Sequence, residues 1–402
     1  LTVPAIWDDY AKNFMRQAAH KAGLVTSVDS PRLRLCLEPE AACLAVSTKE
    51  CPKLCQVGMK FMIVDCGGGT VDITTHEVLG TSPLRLRELS PPVGGPWGST
   101  LVDYQFELWL RDFLGAGSFE MVENKSVLFS TLLEWEHHKM APQRSRARSD
   151  STWGTSRTTW QDPRDRYNNG KDPDLQVRGA KRMVVLSPTL VASFFRPAID
   201  PITTCLRTLK GRVRELDHAF LVGGFSNCVM LQEAVRAELD STGLNVLATM
   251  RPEMAIVIGA VLFASKPMVF NTRKARLTYG VNCLSEYRDH DPEHMKRQET
   301  VKQVGDKQLI PVFSAHVKRG EEVPGHGKCA RKIYEPVEKC QFEASVLVLA
   351  SHEADVGFPD EDKCFLLATL KVPLDMFVPF SERGVEVEFC FGGPELSITC
   401  YD

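Results

Sequence analysis

No stretch of the chain comes near the roughly twenty consecutive apolar residues that a bilayer-crossing helix requires. The longest apolar run, about 254–264, has the length of a buried core helix, so no membrane partner is expected. Charge of one sign is lacking too: 48 Lys and Arg against 51 Asp and Glu leave a formal charge of -3. Nucleic acid would therefore need a local basic patch, and is not an expected partner. Thirteen cysteines are present but no Cys-x-x-Cys, and Cys51 and Cys55 are the nearest two. That scatter argues against a zinc site or a disulfide framework and for a reducing, cytoplasmic setting. The opening residues, Leu1-Thr2-Val3-Pro4-Ala5-Ile6-Trp7 followed by Asp8 and Asp9, have none of the charge order of a signal peptide and read as the interior of a longer chain.

What the sequence does have is one distinctive stretch, Phe61-Met62-Ile63-Val64-Asp65-Cys66-Gly67-Gly68-Gly69-Thr70-Val71-Asp72-Ile73-Thr74. A branched apolar run ends at an aspartate, turns through three glycines and resumes as a second alternating run, the pattern of a tight β-hairpin. Three successive residues without Cβ let a polyanion approach the main chain, where consecutive N–H groups form an anion-binding nest. Asp65, at the end of the first strand, is placed to hold Mg²⁺ through water, and Asp72, one strand later, is a weaker second carboxylate. Taken alone, the same residues also fit a glycine hairpin with solvated aspartates.

Around this stretch, 402 residues point to two or three domains. Positions 10–22 read as an amphipathic helix with Tyr10, Phe14, Ala18 and Ala22 on one face, stopped by Gly23. Cys36-Leu37-Glu38-Pro39-Glu40-Ala41-Ala42 reads as a strand end, then a proline opening an alanine-rich helix; Glu38 either complements the helix dipole or stands beside the Asp65 metal. Positions 91–99 are a loop of turn formers before a helix at about 100–113. A helix at about 127–140 carries Glu134, Glu136, His137, His138 and Lys139 as a solvated face. From 141 to 181, Arg144, Arg146 and Arg148 and a polar run with few apolar residues read as disordered.

Order returns with a strand at 183–186 and a long helix at about 188–211. Ala219-Phe220-Leu221-Val222-Gly223-Gly224-Phe225-Ser226-Asn227 is a buried strand, a glycine turn and the start of a helix capped by Ser226 or Asn227, a ready site for phosphate or ribose. The helix at 251–261 offers Gly259 and Ala260 to a close neighbour. From about 277 onward, period-two strands with glycine and proline turns suggest an antiparallel β-sandwich whose edges accept a peptide strand.

Together these stretches resemble the actin-type ATPase superfamily, and within it the seventy-kilodalton heat-shock chaperones. Asp65-Cys66-Gly67-Gly68-Gly69-Thr70-Val71-Asp72 resembles their second phosphate loop, Glu38-Pro39-Glu40-Ala41-Ala42 their Glu-Pro-x-Ala-Ala segment, and Leu221-Val222-Gly223-Gly224-Phe225-Ser226 their adenosine motif. Thr2-Val3-Pro4-Ala5-Ile6-Trp7, Gly94-Gly95-Pro96-Trp97-Gly98-Ser99, Leu277-Thr278-Tyr279-Gly280-Val281 and Val317-Lys318-Arg319-Gly320 are similar to the divergent heat shock 70 kDa protein 12 subfamily. The resemblance implies an α/β fold: an actin-like (ribonuclease H-like) two-lobed ATPase domain, incomplete at its N-terminus, followed by a small β-sandwich-like domain. The parts would be 1–140, an insertion at 141–181, the rest of the ATPase domain at 182–275 and the β-rich domain at 276–402.

By the same resemblance the ligands are ATP or ADP with Mg²⁺. Gly67, Gly68, Gly69 and Thr70 would meet the β- and γ-phosphates, and Gly223 and Gly224 the nucleoside. Asp65 and Glu38 would be the catalytic pair, Asp65 aligning Mg²⁺ and the attacking water. Glu136 and Lys139 would contact ribose and adenine. The implied function is an ATP-binding, chaperone-like protein with weak hydrolysis, nucleotide-controlled lobe closure and a protein partner or client; a non-catalytic nucleotide-binding adaptor is the alternative. Two departures stand out. The family's first phosphate loop, an Asp-x-Gly-Thr-type turn with a following lysine, is not among these residues, so ATPase activity is expected where a longer chain supplies it. Asn227 stands where the chaperones place an arginine to stack on adenine.

Overall fold

In a computed structural model, which describes residues 1–53, 55–114, 132–133, 135–136, 139, 151–154, 175–178, 183–239, 243–265, 270–325, 329–361, 363–391 and 393–402, the chain passes back and forth between two units. One holds Leu1–Ile6, Cys36–Thr75 and Pro92–Ser265; the other holds Trp7–Leu35, His76–Pro91 and Lys266–Asp402. β1 (Thr2–Val3) lies in the first unit and α1 (Asp9–Lys21) in the second. Asp8 caps α1 by accepting from the Ala11 N–H, and Gly23 at φ 73° ends it. The apolar face expected for this helix is not the buried one: Tyr10 and Phe14 are exposed, Lys12 and Ala19 are buried, and Arg16 pairs with Glu395 at 2.6 Å. The stems of basic side chains cover the surface assigned to the aromatic rings.

β2 (Cys36–Leu37) pairs in parallel with β1 and runs straight into α2 (Glu38–Ala45), with Pro39 in the first turn as the sequence predicts. β3 (Lys60–Cys66) and β4 (Val71–Thr81) flank the triple-glycine turn, and β5 (Leu84–Gly95) follows. The loop expected at 91–99 is therefore strand as far as Gly95. Proline's fixed φ is compatible with extended backbone, so Pro91 and Pro92 do not stop it. Only three residues then turn the chain into α3 (Ser99–Leu114).

Within 141–181, β6 (Ser151–Gly154) and β7 (Leu175–Arg178) pair antiparallel with either edge of β8 (Met183–Leu186). Those two pieces are strand where composition predicts disorder, because the apolar run of β8 offers each a complete ladder; the remainder lies outside the described residues. α4 (Pro188–Arg212) starts at Ser187, whose Oγ accepts from the Leu190 N–H. β9 (His218–Val222), α5 (Val229–Leu239), β10 (Asn245–Ala248) and α6 (Ala255–Ser265) complete the first unit.

Its sheet runs β10-β9-β3-β4-β5, with β9 parallel to both neighbours. Phe61, Met62, Ile63 and Val64 are all fully buried, as a strand covered on both faces must be. Met62, Val64, Ala219 and Leu221 share one core with Phe106 and Phe195. A Cβ on Gly259 would collide with the Ala41 carbonyl, so α6 crosses α2 at the close approach predicted for it.

In the second unit β11 (Phe270–Lys274) runs parallel to the early part of β5. The strands that follow are β12 (Thr278–Glu286), β13 (Lys302–Val304), β14 (Lys307–Val317), β15 (Glu322–Pro324), β16 (Ala330–Tyr334), β17 (Glu343–Ser351), β18 (Cys364–Pro373), β19 (Val385–Cys390) and β20 (Ser397–Tyr401). They form antiparallel sheets in the orders β13-β14-β12-β17-β18 and β16-β19-β20, while β15 pairs with β11. Val281 and Val348 of the larger sheet share a core with Val387 and Phe389 of the smaller. Cys329 and Cys390 are disulfide-bonded. The scatter of cysteines argued against a disulfide framework, and this single bond forms because 61 residues of separation vanish once β16 and β19 pair.

Candidate functional site

β3 and β9 are adjacent and parallel, with Asp65 opposite Val222. Whatever follows each strand at its carboxyl end must therefore land side by side, which is where open α/β sheets gather ligands. After β3 comes Gly67-Gly68-Gly69; after β9 comes Gly223-Gly224. The two turns meet at Gly223, where a Cβ would collide with the Cys66 carbonyl and lie 2.6 Å from Asp65 Oδ1. Its φ of 83° also restricts the position to glycine. The Gly223 N–H donates to Pro252 O at 2.9 Å, tying the turn to the segment that leads into α6.

The hairpin is held from one side. Gly98 N–H donates to Gly69 O (3.2 Å), Ser99 N–H to Gly67 O (3.1 Å) and Thr100 N–H to Gly68 O (2.9 Å), with Thr100 Oγ1 also donating to Gly68 O (2.8 Å). In a trans peptide the next N–H points opposite the carbonyl. Fixing these three carbonyls toward α3 thus turns the N–H groups of Gly68, Gly69 and Thr70 the other way. Gly68 and Gly69 donate to nothing among the described residues. A Cβ on Gly68, Gly69 or Gly224 would meet nothing within 4 Å, so both turns border open space. The arrangement presents aligned backbone donors to an anion.

Three carboxylates collect beside these turns. Asp65 and Asp72 are buried, and Asp72 Oδ1 accepts from the Ile6 N–H at 2.7 Å. Burial raises the Asp65 carboxyl well above the usual carboxylate range, and the charges of Glu38 and Asp72 add to it. Glu38, at the first position of α2, is pushed up to about 7 by burial and then by Asp72. Like charges in a shielded cluster are relieved by a hard cation with oxygen ligands, so the donor set fits Mg²⁺.

Other expected residues lie elsewhere. Lys139 is buried, its Nζ held by Asp103 (2.7 and 2.8 Å) and by Glu136 Oε2 (2.6 Å); the Glu136 side chain is half exposed. The Lys139 charge reaches the Cys228 thiol, but neither Lys139 nor Glu136 acts on the Asp65 carboxyl. Glu134, His137 and His138 fall outside the described residues. The expected caps of α5 are engaged otherwise: Ser226 Oγ donates to Val222 O (2.6 Å) and Asn227 Nδ2 to Glu253 Oε2 (3.1 Å). Gly224–Asn227 forms a 3₁₀ turn that delays the helix, and the Cys228 thiol takes the backbone donors of Leu231 and Met230 instead. The sequence reading also missed Gly98 and Thr100. Gly94-Gly95-Pro96-Trp97-Gly98 signalled a turn, but nothing local told what it would pack against.

The mixed α/β chain sets a strand–glycine–strand turn and a strand–glycine–helix turn side by side over buried carboxylates, and its similarity to 70 kDa heat-shock proteins supports an actin-like ATPase fold. The resemblance to the heat shock 70 kDa protein 12 subfamily holds along the whole chain. The chain is 28% identical to Heat shock 70 kDa protein 12A of Homo sapiens over 476 aligned positions, covering 100% of the chain and 68% of that protein. It is 27% identical to Heat shock 70 kDa protein 12B of Homo sapiens over 478, with the same coverage. A Chaperone protein HscA homolog of Neisseria meningitidis is 24% identical over 266, taking in 66% of the chain and 36% of that protein. No protein-family model matches the chain.

Proposed function

We propose that the chain binds ATP with Mg²⁺ between its two glycine turns and acts as a weakly hydrolysing, chaperone-like protein in which nucleotide state governs lobe closure and the binding of a protein partner. The observation that carries this reading is the close approach of Gly223 to Asp65 and Cys66, with open space beside each of Gly68, Gly69 and Gly224. In this reading the N–H groups of Gly68, Gly69 and Thr70 bind phosphate oxygens, and Gly223-Gly224 approaches the nucleoside. Asp65 and Asp72 would hold Mg²⁺ through its water, and the bound cation would supply positive charge to a transferring phosphoryl group. Glu38, poised near neutrality, is suited to exchange a proton with the attacking water. Positioning and electrostatics supply most of such a reaction. The β-rich C-terminal sheets would form the sandwich that meets a partner, and the protein would work in the cytoplasm.

A second reading, a non-catalytic nucleotide-binding adaptor, draws support from Asn227, tied to Glu253 where an adenine-stacking arginine was expected. Phosphate release measured with and without Mg²⁺ separates the two. Turnover that Asp65→Asn abolishes while nucleotide still binds supports the first reading; binding with no turnover dependent on Asp65 supports the adaptor.

A further inference from the structure

We propose that Cys329, Cys390 and Glu388 form a redox-gated site for a thiophilic divalent cation, zinc being the ion their chemistry matches. Ala330 pairs with Phe389 and Arg331 with Glu388 across β16 and β19, which sets Cys329 directly opposite Cys390 with Cα atoms 4.4 Å apart. Glu388 stands two residues before Cys390 on the same strand, hence on the same face. The two sulfurs and a carboxylate oxygen of Glu388 all lie within 4.8 Å of one another. Two thiolates about 2.3 Å from a tetrahedral metal stand about 3.8 Å apart, so the sulfurs must separate once the bond is reduced, which side-chain rotation on facing strand positions allows. With a carboxylate as third donor the set is S₂O, which leaves a fourth position to water, and thiolate donors favour zinc over magnesium or calcium.

The surroundings suit a cation that comes and goes. The Glu388 side chain is 8% exposed, and the contacts from Arg331 Nε and Nη2 both fall on its Oε1, leaving Oε2 for a metal. Arg331 itself is 58% exposed and already lies 3.9 Å from Glu386, a second carboxylate able to take it over. Across the other edge, Ser397 pairs with Cys390 and Thr399 with Glu388, so the face adds neutral hydroxyl residues rather than competing charge. Disulfide and metal site are then two states of one centre. A dithiol opens the disulfide by exchange, giving up two electrons and two protons and itself becoming a disulfide; on metal binding the two thiols then release two protons to solvent and two metal–sulfur bonds form. A peroxide reverses this: the two thiolates give up two electrons and join in a disulfide, the peroxide takes those electrons with two protons to become two waters, and the cation leaves.

The test titrates the full chain with Co²⁺, as a spectroscopic stand-in for zinc, after reduction with a phosphine and again after reoxidation with hydrogen peroxide. The expected result is a thiolate-to-cobalt charge-transfer band in the reduced protein that zinc displaces and peroxide removes. It persists in Cys340→Ser, a change at an exposed thiol outside the cluster, and Co²⁺ affinity falls roughly 10-fold or more in Glu388→Gln, at least what loss of an outer-shell partner costs. No band in the reduced protein, a band indifferent to peroxide, or an equal band in the Cys329→Ser/Cys390→Ser double variant overturns the proposal. Where the double variant fails to fold, Glu388→Gln, which keeps both thiols, decides the matter: unchanged Co²⁺ affinity in it overturns the proposal.

Discussion

Gly223 and Gly68 show how differently two glycines serve one site. At Gly223 both the backbone angle and the surrounding atoms exclude a side chain, so Gly223→Ala combines a left-handed penalty of about 1–2 kcal/mol with a collision against Cys66. Its midpoint in urea should fall clearly below wild type. At Gly68 there is room for a side chain, and under the proposed reading a side chain there would fill the space left for the ligand. A different residue-scale consequence attaches to His76, which is buried in the second unit; burial, then the charge of Arg273, pushes its imidazole down to about 3. The ring stays neutral in the fold while the unfolded chain binds a proton below about pH 6.5. Stability contributed by the neutral ring is therefore complete above that pH and lost as pH falls toward 3, at about 1.4 kcal/mol per pH unit. Unfolding free energies at pH 7 and pH 5 should differ by less in His76→Phe than in wild type; equal differences would show that His76 does not carry the slope.

Between elements, the tightest restraint is the crossing of α2 and α6, where Gly259 lies on the Ala41 carbonyl. Gly259→Leu forces the helices apart, and overpacking of this kind costs about 1–3 kcal/mol. Because α2 begins at Glu38, the displacement should also weaken Mg²⁺ binding, which titration calorimetry reads directly. The elements legible in the sequence were those whose signals are local: the β3–β4 hairpin, the β9 glycine turn, α3 and the Gly259 approach. Those that were not depend on partners. Tyr10 and Phe14 have helical spacing, yet the surface that α1 meets accepts Lys12 and Arg16. Pro91 and Pro92 looked like loop until a strand took them in, and Cys329 and Cys390 were strangers until β16 met β19. The candidate site was legible in its residue types at Asp65, Glu38 and the glycines; the hold that Gly98 and Thr100 exert on the hairpin was not, since it depends on where α3 packs.

At the scale of the molecule, the chain enters each unit three times, and the two glycine turns, some 150 residues apart in sequence, become neighbours only because β9 inserts in parallel beside β3. The account rests on both turns gripping one nucleotide. A ligand that binds the folded chain alone stabilises it by about 2.7 kcal/mol at one hundred times its dissociation constant, so Mg·ATP should raise the unfolding temperature, and EDTA should cancel most of the rise. The most direct measurement is calorimetric titration of the chain, Gly68→Val and Gly224→Val with Mg·ATP, alongside thermal unfolding of each without ligand. Both side chains enter open space, so both variants should unfold near wild type while each loses at least 10-fold in affinity for the same ligand. Wild-type affinity in either variant, with its fold intact, would contradict the claim that the two turns share one nucleotide.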